Sequence, residues 1–364
     1  MKLKELIRFL EDFAPLSYQE SYDNSGLLIG EPDITLNGAM ITLDCTEDVI
    51  NEAHKKKCNV IICHHPLIFG AIKKLTGSNY VERCISLAIK KDIAIYAIHT
   101  NLDNVHNGVN SMICKKLGLL NYTILSPKSN LLNKLIVYCP FDAADKVRNA
   151  MFEAGAGNIG EYSECSFTSE GEGTFKASNI STPYVGEKGK RHLEKEVKIE
   201  CIVPVHLKNR IITSMIATHP YEEVAYDLFP LANYNERVGS GMIGELKKPI
   251  TPASFLKLVK NKMLAKSIRY TDLNKKMVRK VAVCGGSGSF LINKAKLKGA
   301  DVFLTSDLKY HQFFDSEGEL MLVDIGHYES EQFTKELLYE LIKKKFPKFA
   351  VRLSETNTNP IKYC

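Results

Sequence analysis

The feature that most constrains this chain is a regular alternation of apolar strand segments with amphipathic helical segments. It begins with strand 39–43, helix 46–57, strand 59–63, helix 79–91 and strand 93–98. It returns at residue 240, includes predicted helices at 308–316 and 328–345, and continues to strand 349–353. Such alternation is typical of βαβ units around a largely parallel sheet, whose ligands bind beyond the carboxyl ends of the strands. We therefore predict an α/β protein.

The pattern changes between residues 127 and 235. There the predicted segments are strand 134–139, helix 141–154, a Gly-rich hairpin region at 165–175, strand 197–203, helix 207–217 and strand 223–230. This β-α-β-β-α-β order is that of a ferredoxin-like fold. A length of 364 residues suggests two domains at about 150 residues each. We predict an α/β core at 1–126 and 236–364, with an inserted ferredoxin-like domain at 127–235.

Composition narrows the function classes. The net charge of +6 is dispersed over short lysine groups, and no basic stretch is interleaved with aromatic residues, so a nucleic-acid partner is not favoured. The first helix pairs an apolar face with acidic residues, which excludes a signal peptide or a membrane span there. The ten cysteines include no Cys-x-x-Cys motif, so their spacing does not favour a zinc or disulfide site. We interpret them as buried side chains of a protein in a reducing compartment. We expect a cytoplasmic protein without a membrane partner.

Two adjacent histidines follow one of the predicted strands. The apolar run at 60–63 ends in His64, His65 and Pro66. At the end of a strand the chain can turn, so that both imidazoles reach one cleft, and neutral imidazoles suit a borderline-soft divalent metal. Taken alone, the pair fits surface loop histidines better, because short motifs often match by chance. Further ligands are needed.

Other ligand-type residues also follow strands. Asp44 and the segment at 99–103 end two strands of the first half, and Asp324 ends a strand of the second half. His327 and Glu331 are four residues apart, so they share one helical face, and Asp307 and His311 have the same spacing. Asp307 alone is equally explained as a helix cap. The glycine-rich turn at 285–289 either contacts a phosphate or is a tight strand-to-helix turn.

Together these residues predict a metal site at one edge of one sheet. The candidate ligands are His64, His65, Asp103, His327 and Glu331. Three histidines and two carboxylates suit two divalent ions, with one carboxylate bridging, and zinc, iron, manganese and cobalt all accept this donor set. Two close ions lower the pKa of a shared water and stabilise an oxyanion, so the predicted chemistry is hydrolytic. His99 and His311 are candidates for proton transfer, and with Asp307 they are equally explained by ordinary hydrogen bonding.

Four motifs resemble those of the GTP cyclohydrolase I type 2 homologues, the nif-three-like proteins. They lie at 22–30, 63–66, 99–103 and 324–331, and the resemblance runs from the first helix to the last strand. It implies a core of two βα-repeat lobes, a dinuclear metal centre on the five ligands above and a ring-like homohexamer. Residues 127–235 resemble the PII- and CutA-like insertion of the longer bacterial members, with its most recognisable stretch at 219–223. Tyr22 and Ser306 depart from the Trp and Gly of many relatives, and neither is a ligand.

Two functions remain open at this point. The first is a metal-dependent hydrolase acting on a nucleotide or related small molecule, either at a purine ring carbon, as the family name implies, or at phosphorus. The second is a regulatory or adaptor hexamer that binds a metal or metabolite without catalysis. We favour the enzyme because dense ionisable clusters in clefts more often mark chemistry. No motif marks a guanine pocket.

Overall fold

The strands form three sheets in this computed structural model, which describes residues 1–364. The chain is a mixed α/β protein, as the alternation predicts. It separates into two compact units, one of residues 1–127 with 237–364 and the other of residues 128–236. None of its helices is both long enough and apolar enough to span a membrane.

The strands, in chain order, are β1 (Gly26–Ile29), β2 (Ala39–Thr42), β3 (Val60–Cys63), β4 (Ala94–Ala97), β5 (Leu119–Lys128), β6 (Leu132–Pro140), β7 (Ser166–Lys176), β8 (Arg191–Pro204), β9 (Tyr226–Leu231), β10 (Asn235–Ile250), β11 (Arg269–Tyr270), β12 (Val278–Ser287), β13 (Val302–Ser306), β14 (Met321–Asp324) and β15 (Val351–Leu353). The α-helices are α1 (Leu3–Phe13), α2 (Glu47–Lys55), α3 (Tyr80–Lys90), α4 (Thr100–Asp103), α5 (Val109–Leu117), α6 (Ala144–Glu153), α7 (Lys208–Thr218), α8 (Pro252–Lys262), α9 (Ile292–Leu297), α10 (His327–Glu331) and α11 (Thr334–Lys345).

The first sheet of the larger unit has the order β1-β4-β3-β2-β15. Its strands are parallel except for β1, which pairs antiparallel with β4. Every residue of β2, β3 and β4 is buried, as expected for strands covered on both faces. Met40, Ile61 and Ile95 belong to one core cluster with apolar residues of α2 and α3. Because β2, β3 and β4 are parallel, the turns after them lie at one edge of this sheet.

Local signals start the helices that cover this sheet. The side chain of Thr46 accepts a hydrogen bond from Val49 N at the start of α2, and Asn79 accepts one from Glu82 N at the start of α3. Capping of this kind satisfies backbone N–H groups that the first helical turn leaves free. The residue types at these positions therefore determine where both helices begin.

The second sheet of the larger unit has the order β11-β14-β13-β12-β10-β5. Strands β12, β13 and β14 are parallel, while β10 is antiparallel to β12 and β11 is antiparallel to β14. Ala282, Phe303 and Leu322 pack in one core cluster with Leu291 and Ile292. The turns after β12, β13 and β14 again lie at one edge, and they carry the second half of the candidate residues.

The prediction that all candidate ligands follow strands of one sheet is wrong. His64 and His65 follow β3 of the first sheet, whereas His327 follows β14 of the second. The physical reason is that β15, the last strand of the chain, pairs with β2 and completes the first sheet. The strands of the second half therefore pair with one another and with β5.

Two predicted helices also differ from the structure. Residues 310–316 form a 3₁₀ helix, and no α-helix begins at residue 308 because Asp307 is left-handed (φ 56°) and Lys309 is extended (φ −74°, ψ 153°). Residues 327–345 form two helices, α10 and α11, that divide between Glu331 and Thr334. The break leaves His327 and Glu331 four residues apart within α10.

The smaller unit contains β6, α6, β7, β8, α7 and β9 in chain order. Its sheet has the order β7-β8-β6-β9, and each neighbouring pair is antiparallel. Val137 and Ile199 of this sheet share a core cluster with Met151 and Met215 of the helices. His219 is buried, and its ring nitrogens contact Tyr138 O and Tyr221 N at 3.0 Å each, so it has an ordinary hydrogen-bonding role.

Candidate metal centre

The turn after β3 presents two imidazoles to one space. The backbone N–H groups of His64 and His65 both donate to Leu43 O, at 3.1 Å and 3.0 Å, which bends the chain at the end of the strand. The Nδ1 of buried His64 contacts Ile98 O at 2.8 Å, and the Nδ1 of His65 contacts Asp44 Oδ1 at 2.8 Å. A carbonyl oxygen only accepts, so His64 Nδ1 carries the proton and its Nε2 keeps a lone pair. Both histidines therefore offer Nε2.

Asp103 reaches the same space from the turn after β4. It ends the short helix α4, whose Asn101 side chain donates to Ala14 O at 2.7 Å. The Asn110 side chain donates to the Asp103 carbonyl at 3.0 Å. The Asp103 carboxylate lies 3.6 Å from His64 Nε2, measured at Oδ1. The first sheet thus supplies two imidazoles and one carboxylate.

The second sheet supplies His327 and Glu331 through α10. The Nδ1 of His327 contacts Asp307 Oδ2 at 2.6 Å, which orients its ring. The side chain of Glu331 is buried, and its Oε2 lies 3.0 Å from His327 Nε2 and 2.9 Å from His65 Nε2. Its other oxygen, Oε1, lies 3.8 Å from His64 Nε2. Glu331 therefore joins residues that are more than 260 positions apart in the chain.

The side chains form overlapping groups whose donor atoms lie within 4.8 Å of one another. These groups are His64–His65–His99, His65–His327–Glu331 and His64–Asp103–Glu331. Donors that share one ion at about 2.1 Å lie roughly 3 to 3.5 Å apart, and the measured separations of 2.9 to 3.8 Å are close to this range. The two groups that contain Glu331 use different oxygens of its carboxylate.

Two buried polar atoms of this cluster lack a hydrogen-bond partner. They are His64 Nε2 and Asp103 Oδ1. A buried acceptor without a partner costs about 1–3 kcal/mol, and most buried polar atoms in proteins are satisfied. Both atoms are lone-pair donors that face each other, so a cation between them would satisfy both. The residues present fit a divalent metal.

The charges of the cluster shift its pKa values strongly. Burial alone would lower the pKa of His65, but the charge of Glu331 and hydrogen bonds with Asp44 and Glu331 raise it to about 9. Burial would also lower the pKa of His327, but the charge of Glu331 and hydrogen bonds with Asp307 and Glu331 raise it to about 11. Burial and the Glu331 charge raise the pKa of Asp103 to about 8. Without a cation, protons on the imidazoles compensate the buried Glu331 carboxylate.

The glycine turn at the end of β12 makes room for Glu331. Gly286 has φ 63°, and a Cβ there would overlap Glu331 Oε1 and lie 3.4 Å from His327 Cε1. The backbone N–H groups of Gly285, Gly286 and Gly288 donate to side-chain oxygens of the protein. These groups are not free for a phosphate, so the structure favours the tight-turn interpretation of this motif.

His99 faces the cluster, and His311 does not. The His99 ring lies 5.3 Å from that of His64 and 5.4 Å from that of His65, and its Nδ1 contacts buried Asp23 Oδ1 at 2.8 Å. His311 is exposed on the 3₁₀ helix, stacks on Phe314 and does not line the cavity. The i, i+4 argument for His311 fails because residues 307–311 are not α-helical.

A cavity of about 530 Å³ opens over the cluster within the larger unit. Aromatic side chains line it beside the metal-ligand candidates: Tyr22, Phe69, Tyr80, Phe290 and Tyr328. The segment 359–361 near the C-terminus also lines it, which the sequence did not predict. The sequence also did not predict the role of Asp23 or the contacts of Asp44. The position of Asp44 directly after a strand was the one signal that could have indicated these contacts. Small-molecule sites commonly have about 300–1,000 Å³.

Comparison with known proteins agrees with the four motifs. A family model described as Duf34/NIF3 (NGG1p interacting factor 3) matches residues 1–360. A Bacillus subtilis protein named GTP cyclohydrolase 1 type 2 homolog is 40% identical over 366 residues, covering 99% of this chain and 98% of the relative. The crystal structure of a Bacillus cereus protein related to NIF3 has a TM-score of 0.87 at 39% identity, covering 100% of this chain and 99% of that one. The resemblance is confirmed: this chain belongs to the Duf34/NIF3 family.

Proposed function

We propose that the protein is a hydrolase that uses two divalent ions and acts on a nucleotide or a related small molecule. His65, His327 and Glu331 would hold one ion, and His64, Asp103 and Glu331 the other. The observation that carries this proposal is the position of the Glu331 carboxylate, whose Oε2 lies 2.9 Å from His65 Nε2 and whose Oε1 lies 3.8 Å from His64 Nε2. One buried carboxylate is thus available to both donor groups.

The chain supplies orientation and charge to this centre. Asp44 and Asp307 bind the Nδ1 atoms of His65 and His327, so that each Nε2 points toward Glu331. Hydrogen bonds of this kind fix the orientation of ligating histidines. When bound, two such ions would lower the pKa of a water and stabilise the negative charge that develops during hydrolysis. Zinc, iron, manganese and cobalt all accept this donor set.

His99 is the proposed proton carrier. Asp23 accepts from Thr100 N and Thr100 Oγ1 through one oxygen and binds His99 Nδ1 through the other. This keeps the proton of neutral His99 on Nδ1, so that Nε2 can accept a proton at the cavity. Phe69 packs edge-on against the His99 ring at 5.7 Å. The pair acts as a buried carboxylate that orients an imidazole base.

The name of the relatives favours a substrate with a purine ring. The Bacillus subtilis protein is named a GTP cyclohydrolase 1 type 2 homolog, and the cavity volume suits a small molecule. Attack at phosphorus is the second form of the same hydrolytic chemistry. A regulatory or adaptor protein without catalysis is the alternative, and the cavity that opens over this cluster of ionisable side chains favours the enzyme.

The proposal also covers the domain organisation, the oligomeric state and the cellular location of the protein. We propose that residues 127–235 are an inserted PII- or CutA-like ferredoxin-fold domain between core segments 1–126 and 236–364. The β-α-β-β-α-β order and the antiparallel sheet β7-β8-β6-β9 support this. We further propose a homohexamer, as the family resemblance implies. All ten cysteines are free, which supports a cytoplasmic protein.

Metal content and hydrolysis test this function together. We would measure ions per chain by elemental analysis for the wild type, Glu331→Ala and His64→Ala, with His311→Ala as the matched histidine control. We expect about two ions in the wild type and His311→Ala, and loss in both site variants. GTP, other nucleotides and phosphoesters would then be assayed with the metal found. A wild type without metal, or an active Glu331→Ala protein, contradicts the proposed function.

A further inference from the structure

The C-terminal segment 354–361 is tied to the core next to the candidate metal centre. Glu52 of α2 anchors its first part. The Glu52 carboxylate accepts from Ser354 Oγ at 2.6 Å, from Glu355 N at 3.0 Å and from Thr356 Oγ1 at 2.8 Å. With a fourth hydrogen bond from Thr356 N at 3.3 Å, this one carboxylate holds a stretch that has no regular secondary structure.

The next residues approach the cluster itself. Thr358 Oγ1 donates to Asp44 Oδ2 at 2.6 Å, and Asn359 Nδ2 donates to Glu329 Oε1 at 3.1 Å. The backbone around Thr358 is fixed by its neighbours, since Asn359 N donates to Asn357 Oδ1 at 3.0 Å. An Asn side chain that binds the backbone two residues on makes a defined turn. Thr358 is therefore held in place at Asp44.

Asp44 links this segment to a candidate ligand. One of its oxygens binds Thr358 Oγ1, and the other binds His65 Nδ1 at 2.8 Å. His65 Nε2 in turn lies 2.9 Å from Glu331 Oε2. A carboxylate held by only one oxygen can rotate about its side-chain bonds, and the ring that it orients would then turn with it. With both oxygens bound, Asp44 has one orientation and so has the His65 ring.

From this chain of contacts we infer that Thr358 is a positioning residue of the metal centre and that segment 354–361 completes the site. The inference rests on the proposed function, because it assumes that His65 binds an ion. Thr358 touches neither the cluster nor the ion position; it acts through Asp44. The same segment supplies residues 359–361 to the cavity wall, so the site has its full wall and its oriented ligand only when the C-terminal segment is bound.

Binding of Zn²⁺ to the metal-free full-length protein, measured by calorimetry, tests the inference. Thr358→Val removes the hydroxyl at nearly constant shape, Thr358→Ser restores it, and Thr356→Val is the matched control that removes a hydroxyl from Glu52 instead. We expect Thr358→Val to weaken the binding of one ion by about 10- to 100-fold. We expect Thr358→Ser to bind as the wild type does, and Thr356→Val to lower the melting temperature without changing Zn²⁺ affinity.

Three outcomes would overturn the inference, and they are distinguishable. Thr358→Val with the Zn²⁺ affinity of the wild type shows that Asp44 holds His65 without help. Equal weakening in Thr356→Val shows that the segment acts only through stability. In both cases the wild type still binds two ions, and the proposed function stands. A wild type that binds no Zn²⁺ and no other divalent ion overturns the proposed function and the inference with it.

Discussion

Glu331 is the residue on which the candidate centre depends most. Its side chain is buried, and the nearby charges of His327 and His65 hold its pKa well below the usual value although burial opposes this. A buried carboxylate persists in this state only where positive charge compensates it. Two protonated imidazoles supply that charge in the metal-free chain, and divalent ions would supply it in the loaded one.

A substitution of Gly286 tests whether Glu331 needs the space that a glycine leaves at this turn. A Cβ at this position would overlap Glu331 Oε1, so Gly286→Ala should displace the carboxylate and reduce the metal content well below two ions per chain. Gly299→Ala is the control, because Gly299 has a similar φ of 70° but open space around its Cβ position. It should cost about 1 kcal/mol of stability and leave the metal content unchanged. Equal metal content in both variants would contradict the crowding argument.

A substitution of His99 distinguishes a role in proton transfer from a role in metal binding. If His99 carries a proton, His99→Gln should retain about two ions per chain and lose hydrolysis by about 10²- to 10⁴-fold. The measurements are elemental analysis and initial rates on the same preparation. Because His99 also forms a group with His64 and His65, a loss of metal in His99→Gln would show instead that it is a ligand.

At this scale the sequence indicated which candidate ligands come together, but not which residues bind and orient them. The residues at 64–65 and the i, i+4 pair in α10 could be predicted because they follow strands directly. Asp23 could not be predicted, since its contact with His99 spans 76 positions and depends on tertiary structure. His311 was selected by a spacing that has meaning only in an α-helix, and its segment is a 3₁₀ helix.

Among the elements, α2 and the C-terminal segment are joined by Glu52. Hydrogen bonds from the segment and from Lys56 lower the pKa of Glu52 to about 2, against a usual value of 4.5, although burial opposes the shift. The other charged groups near it are Glu355, which binds Lys56 at 2.9 Å, and Lys335. Because the folded chain binds this proton less readily than the unfolded chain, the stabilisation is complete above about pH 4.5 and is lost as the pH falls toward 2.

Glu52→Gln should therefore destabilise the protein in a pH-dependent way. Near pH 7 we expect a loss of about 1–3 kcal/mol of free energy of unfolding, because the charged acceptor of several hydrogen bonds is removed. The difference between wild type and variant should shrink as the pH falls below 4.5. Thermal melts of both proteins across this range measure it. A difference that is constant with pH would show that the Glu52 charge is not what holds the segment.

The elements themselves were largely predictable, and their pairing was not. The alternation predicted β2, α2, β3, α3 and β4 to within a few residues, because apolar periodicity is a local property. The division into two sheets could not be read from periodicity, since it depends on the pairing of β15 with β2 about 310 residues earlier in the chain. The candidate ligands were therefore predicted to follow strands of one sheet, whereas the structure places them after strands of two sheets.

At the scale of the whole molecule, the residues of the candidate centre all belong to the larger unit. The chain leaves this unit at the end of β5 and returns at β10, which are neighbours in one sheet. A Cβ on Gly239 would overlap Ser126 O and lie 2.7 Å from Pro127 Cα, so the two backbones are close at this point. A short connection can therefore join them.

Deletion of residues 128–236, with a short Gly-Ser linker between Pro127 and Arg237, should leave the metal centre intact. We expect about two ions per chain by elemental analysis, as in the full-length protein, because no ligand candidate is removed. Glu331→Ala in the shortened chain is the control and should bind none. A folded shortened protein without metal would show that residues 128–236 contribute to the centre.

The assembly of one centre from both sheets has a consequence for synthesis. A ribosome makes His64, His65 and Asp103 within the first third of the chain, and His327 and Glu331 only near its end. The strand that completes the first sheet, β15, comes later still. A nascent chain that ends before residue 327 therefore has three of the five candidate donors and lacks Glu331, which both proposed ion groups share. Loading of the proposed centre with two ions would therefore have to follow the synthesis of α10, close to the end of translation.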